Sequence, residues 1–135
     1  MTDFSDVQQC LAFQARRLSR LLTKRYDAAL RPCGLRVTQF TLLHILYSHD
    51  GIGVNEMAEH TDTDPTTLTR NLAILERNGW LDVGKDEGDL RKRALHLTQS
   101  GKDIYHRAMP LWVQVQKEVS GLFDVDLSHA LSKLT

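Results

Sequence analysis

The chain has 135 residues, 41% of them hydrophobic and 25% charged, with 17 basic side chains against 17 acidic ones. Such a composition describes one ordinary folded domain and excludes disordered, collagenous and disulfide-stapled classes. No run approaches the roughly 18 apolar residues needed to span a bilayer. The first residues carry Asp3 and Asp6 instead of an apolar leader. Two cysteines, Cys10 and Cys33, suit a reducing compartment. The expected location is therefore cytoplasmic, with no membrane partner.

Zero net charge argues mildly against a nucleic-acid partner, because such proteins present a basic surface. The distribution answers part of that. Arg16, Arg17, Arg20, Lys24, Arg25, Arg31 and Arg36 outnumber Asp3, Asp6 and Asp27 at the N-terminal end, and Arg91, Lys92 and Arg93 form a second cluster.

The spacing predicts a long amphipathic helix over 7–31. Leu11, Ala15, Leu18, Leu22, Tyr26 and Ala29 recur at helical steps, Ser5 is the expected N-cap, and Pro32 and Gly34 end it. A second helix over 38–49 is apolar nearly all round, which marks a buried central element. Asp50-Gly51-Ile52-Gly53 reads as a turn. Asn55 is the expected cap of a short helix over 56–60, followed by a turn at Thr61-Asp62-Thr63. Asp64 then caps a longer helix with Pro65 at its first position and Leu68, Leu72 and Leu75 on one face. Asn78-Gly79 stops it.

Trp80–Val83 reads as a strand, 84–89 as a polar loop and Arg91–Leu97 as the return strand. Thr98 is the expected N-cap of a last long helix carrying Ile104, Ala108, Leu111, Val115, Val119 and Leu122, with Trp112 widening the stripe and Pro110 expected to kink it. A short tail helix over 126–134 closes the chain. The expected fold is thus mainly α with a small β-hairpin wing, a winged helix-turn-helix.

Such a module lays its second helix in a DNA major groove. Thr66, Thr67, Thr69, Arg70 and Asn71 supply side chains suited to base edges and phosphates. Arg70 matches guanine and Asn71 matches adenine in bidentate geometry. Lys85, Arg91, Lys92 and Arg93 on the wing suit the phosphate backbone or a minor groove. Strand alternation puts Arg91 and Arg93 on one face and Lys92 on the other, with Asp89 as an expected ion partner for one of them.

These residues carry a resemblance to the MarR family of bacterial transcription regulators. Its bearers are Leu35–Phe40, Asp64–Arg70, Leu75–Leu81 and the wing pattern Asp89, Arg91, Leu97, Thr98 and Gly101. The resemblance covers about residues 8–134. It implies one domain over 1–135, with dimerisation helices at about 5–33 and 99–134 and a winged-helix lobe at about 36–98. It implies a homodimer that buries Leu11, Phe13, Leu111, Trp112, Val115, Val119, Leu122 and Leu127 against its partner. It also implies a repressor of a pseudopalindromic duplex operator, released by a small aromatic or phenolic effector, by oxidation or by metal. Candidate DNA contacts are then Thr38, Asp64, Pro65, Thr66, Thr67, Thr69, Arg70, Asn71, Lys85, Arg91, Lys92 and Arg93.

Three signals compete for the trigger. Arg16, His44 and Trp112 are the candidates for lining an effector pocket. Cys10 is the redox candidate, since a helix N-terminus lowers a thiol pKa. The peroxide-sensing branch of the family, however, pairs its cysteine with tyrosines where this chain has Gln14 and Lys24. Cys10 and Cys33 are too far apart along one helix to pair within a subunit. The histidines at 44, 49, 60, 96, 106 and 129 show no metal-ligand spacing, so no metal site and no cofactor are expected.

An enzyme is not expected: the chain has no phosphate-binding loop, no dinucleotide fingerprint, no His-Glu-x-x-His and no nucleophile elbow. The alternatives to a ligand-released repressor are a winged-helix protein-interaction module and a thiol-based regulator using Cys10.

Overall fold

The computed structural model describes residues 4–86, 89–124 and 126–135, and for 85, 86 and 89–92 the backbone only. The helices are α1 (Leu11–Leu30), α2 (Val37–Ser48), α3 (Val54–Thr61), α4 (Pro65–Arg77), α5 (Gln99–Ser120) and α6 (Leu127–Ser132). The strands are β1 (Ile52–Gly53), β2 (Leu81–Asp86) and β3 (Asp89–Leu97). They form an antiparallel sheet in the order β1-β3-β2. The expected winged helix-turn-helix is the fold observed.

Three local expectations are corrected. The first helix does not run unbroken from residue 7. Asp6, not Ser5, caps a separate 3-10 turn at Val7–Gln9 by accepting from the Gln8 amide, and Cys10 is extended before α1 begins. The side-chain amide of Gln14 donates to the Gln8 carbonyl at 3.0 Å, which supplies a partner at the break. Next, Ile52–Gly53 is a strand. It pairs with Leu95 and Ala94, so extended Gly53 becomes the N-cap of α3 and Asn55 falls inside the helix. Tertiary pairing overrides the local capping preference there. Finally, β2 extends to Asp86 and β3 starts at Asp89, so most of the expected polar loop is strand. The last long helix forms with Pro110 inside it.

The core gathers around α2, whose Phe40, Leu42, Leu43 and Leu46 are buried. Against it pack Met57 of α3, Leu68, Leu72 and Leu75 of α4, Leu81, Leu95 and Leu97 of the sheet, and Ile104, Tyr105 and Ala108 of α5. Arg36 carries no acceptor for the first amides of α2. Asp27 of α1 fills that role across the helix junction, accepting from the Val37 amide at 2.8 Å.

α4 ends in a Schellman motif. The Gly79 amide donates to the Glu76 carbonyl and the Trp80 amide to the Leu75 carbonyl, both at 3.0 Å, with Gly79 left-handed at φ 77°. Thr98 then joins this stop to α5. Its hydroxyl donates to the Gly79 carbonyl at 2.6 Å and accepts from the Gly101 amide at 3.0 Å. A β-carbon on Gly101 would lie 2.3 Å from the Trp80 carbonyl oxygen. Only glycine lets α5 approach this closely. Gly101→Ala should therefore destabilise the protein by about 1–3 kcal/mol, despite alanine's better helix propensity. Urea denaturation of the two proteins checks it.

Candidate nucleic-acid interface

α4 is fixed from beneath by its leucines. Leu68, Leu72 and Leu75 are each at most 5% exposed. Burial of each is worth roughly 1.5–3 kcal/mol, more than the roughly 1 kcal/mol typical of a helix cap. Packing therefore sets where the helix lies, and capping tidies its first turn.

Asp64 makes that cap. Its carboxylate accepts from the Thr67 amide at 2.9 Å and from the Thr67 hydroxyl at 2.6 Å. These two bonds, the hydroxyl's first, hold the carboxyl below its ordinary pKa. Pro65 occupies the first helical position. Before it, α3 ends with Asp62 left-handed at φ 52°, and the Thr63 amide donates back to the Ala58 carbonyl at 3.1 Å. The turn between the two helices is thereby closed by backbone bonds.

The outward face of α4 follows from the inward one. Thr66, Thr69, Arg70 and Ala73 are exposed and lie three and four residues apart, opposite the leucines. Arg70 makes no ion pair among the described residues. Thr67 and Asn71 are half-buried at the margins, and the Thr67 hydroxyl is engaged by the cap. The sequence groups five polar residues as equals, but the helix turns only three of them, Thr66, Thr69 and Arg70, squarely outward. Ala73 shares the face and carries no chemical signal by which sequence reasoning would find it.

Thr38 stands exposed in the first turn of α2. Arg93 is exposed on β3, opposite Lys85 in the ladder. The side chains of Lys85, Arg91 and Lys92, and the expected Asp89 ion pair, lie outside the described residues. His96 donates from Nδ1 to Asp50 at 2.8 Å, tying β3 to the turn after α2.

The trigger candidates separate. Arg16 is exposed on α1. His44 and Trp112 flank one aromatic group. Phe40 stacks on Tyr105 and Trp112 at centroid distances of 5.5 and 5.7 Å, and His44 Nδ1 shares a 2.6 Å hydrogen bond with the Tyr105 hydroxyl. Burial, and then Tyr47 nearby, raises the Tyr105 pKa, which keeps that hydroxyl neutral. A cleft of about 300 Å³ lies elsewhere, between α1, α5 and the chain leading into α6, lined by Leu18, Leu22, Tyr26 and Val119 among others.

Cys10 is exposed. The Phe13 amide, then that of Ala12, lowers its thiol pKa, and Arg16 adds a smaller push in the same direction. Cys33 is half-buried, and both thiols are free.

Comparison with known proteins agrees with this geometry. The family model described as "MarR family" matches residues 35–92. That segment runs from the start of α2 into the wing. A DNA complex of the M. tuberculosis transcriptional regulator MosR superposes with a TM-score of 0.84 at 34% identity, covering 93% of each chain. The chain belongs to the MarR family. It is also 26% identical over 130 residues to the uncharacterized HTH-type transcriptional regulator YwoH of Bacillus subtilis, covering 96% of this chain and 94% of that one. The organic hydroperoxide resistance transcriptional regulator of the same organism is 28% identical over 109 residues, covering 81% of this chain and 74% of its own.

The depressed Asp64 pKa sets a pH dependence. A carboxylate lowered on folding stabilises the native state above its unfolded value of about 3.9, and that contribution fades as pH falls through the folded value. Asp64→Ala should thus lose stability at neutral pH, and its deficit should shrink as pH falls below the ordinary carboxylate range. Urea midpoints of both proteins across that range measure it.

Proposed function

We propose that this MarR-family regulator is a homodimeric repressor whose paired α4 helices enter successive major grooves of a pseudopalindromic operator. The carrying observation is the outward face of α4, where exposed Thr69 and Arg70, the latter without an ion pair among the described residues, stand on a helix held by buried leucines and by the Thr98 hydroxyl. Thr38 and the wing cations Lys85, Arg91, Lys92 and Arg93 would flank it on phosphates. Zero net charge is compatible with this, because the cations cluster on α1 and the wing.

Dimerisation is supported by the terminal segments. Leu11 is 80% exposed, Leu122 62%, Leu127 52% and Leu131 61%. Soluble monomers avoid such clustered apolar exposure. Val115 and Val119 are already buried within the protomer, so the exposed leucines carry the proposed contact. Twofold symmetry then spaces the two α4 helices about one helical turn of DNA apart, roughly 34–36 Å. The effector is an aromatic or phenolic molecule, supported by the Phe40, Tyr105 and Trp112 stack with His44 at its edge. Titration with phenols and aromatic acids, read by Trp fluorescence and by DNA release, tests it.

A second reading has its own observation. The lowered Cys10 thiol favours an exposed thiolate. Peroxide would oxidise it to the sulfenic acid, releasing water, and so loosen the N-terminal part of the dimer. Peroxide should then release DNA from the parent and not from Cys10→Ser.

Arg70→Ala should lower operator affinity by about 1–3 kcal/mol while leaving the fold intact. Log affinity should also fall linearly with log salt. Fluorescence anisotropy measures both, and unchanged operator affinity removes Arg70 from base readout. Leu127→Asp should convert the sedimenting species from dimer to monomer and abolish operator binding with it.

A further inference from the structure

The hydroxyls on the displayed helix are not all available to DNA. The Thr69 hydroxyl donates to the Pro65 carbonyl at 2.7 Å. A threonine β-carbon carries one hydroxyl, one methyl and one hydrogen. With the hydroxyl turned back onto the helix, the methyl is the group that exposed Thr69 presents outward. Its only proton for donation is spent. Ala73, one turn further along the same face, adds another methyl and no polar atom.

An apolar group facing a base edge discriminates in two ways. Against adenine, guanine or cytosine it strips water from donors and acceptors and returns nothing. Against thymine it meets the C5-methyl, the only apolar group that the four bases show in the major groove. We propose that Thr69 is a specificity-determining residue that recognises a thymine C5-methyl in each half-site, beside the guanine contacted by Arg70. This rests on the DNA-binding function above and adds to it the identity of one base and the atom that is read.

The test begins with selection of sites from a randomised duplex library on the full-length protein. A thymine beside the guanine is expected in every strong half-site. Deoxyuridine in its place removes the methyl and keeps the base pair. Affinity should fall roughly fourfold for one half-site, the transfer value of a single methyl-sized group, and roughly fifteenfold when both are substituted. Thr69→Val keeps an outward methyl without the hydroxyl and should show the same losses. Thr69→Ser keeps the hydroxyl and should bind thymine and uracil sites equally. Because Thr69 is exposed, both variants should fold, which circular dichroism confirms. The inference is overturned if no thymine is selected beside the guanine, if uracil is harmless to the parent, or if Thr69→Ser suffers the parent's loss. Failure of the parent to bind any duplex at low salt would instead overturn the DNA-binding function, and it shows before any base is changed.

Discussion

One junction ties the C-terminal end of α4 to the helix that follows the wing. The first turn of α5 is seated on the backbone that ends α4, with the Thr98 hydroxyl on the Gly79 carbonyl and the Gly101 α-carbon against the Trp80 carbonyl. The same hydroxyl caps α5. Because α5 also packs on α2 through Tyr105 and Ala108, the end of α4 is held by the element that leads toward the proposed partner. A shift of α5 has a short mechanical path to α4 through these bonds. That path would link the proposed effector, or an oxidised Cys10, to the proposed DNA contacts without touching them.

Burial is distributed unevenly along the chain, and the imbalance has physical meaning. Among the described residues α2 through β3 hold most of the core, whereas α1 buries only Leu30 and α6 buries nothing. The terminal helices are therefore amphipathic elements with a face left over. In the protomer α1 packs on α5, where the Tyr26 hydroxyl donates to Gln116, and its Asp27 caps α2.

Side-chain hydroxyls and carboxylates near α4 serve the fold before they serve recognition. Asp64 and Thr67 close the first turn, and Thr69 bonds its own helix. For the proposed recognition these bonds leave the Arg70 guanidinium, the Thr66 hydroxyl and the methyls of Thr69 and Ala73. Chemistry that reads as uniformly polar in sequence becomes mixed once the local hydrogen bonds are formed.

Sequence alone determined what depends on short range: the helical stripes of α2, α4 and α5, the caps at Asp64 and Thr98, the stop at Gly79, and the winged order of elements. These rest on periodicity and on backbone preferences of single residues, which hold before the chain collapses. Tertiary structure decided what depends on distant partners. Pairing of β1 with β3 moved the start of α3 past the attractive cap at Asn55. The length of β2 and the half-burial of Thr67 and Asn71 likewise followed from contacts across the fold. Asp27, a lone acid in a basic helix, acquired its role only when the first amide of α2 was brought to it.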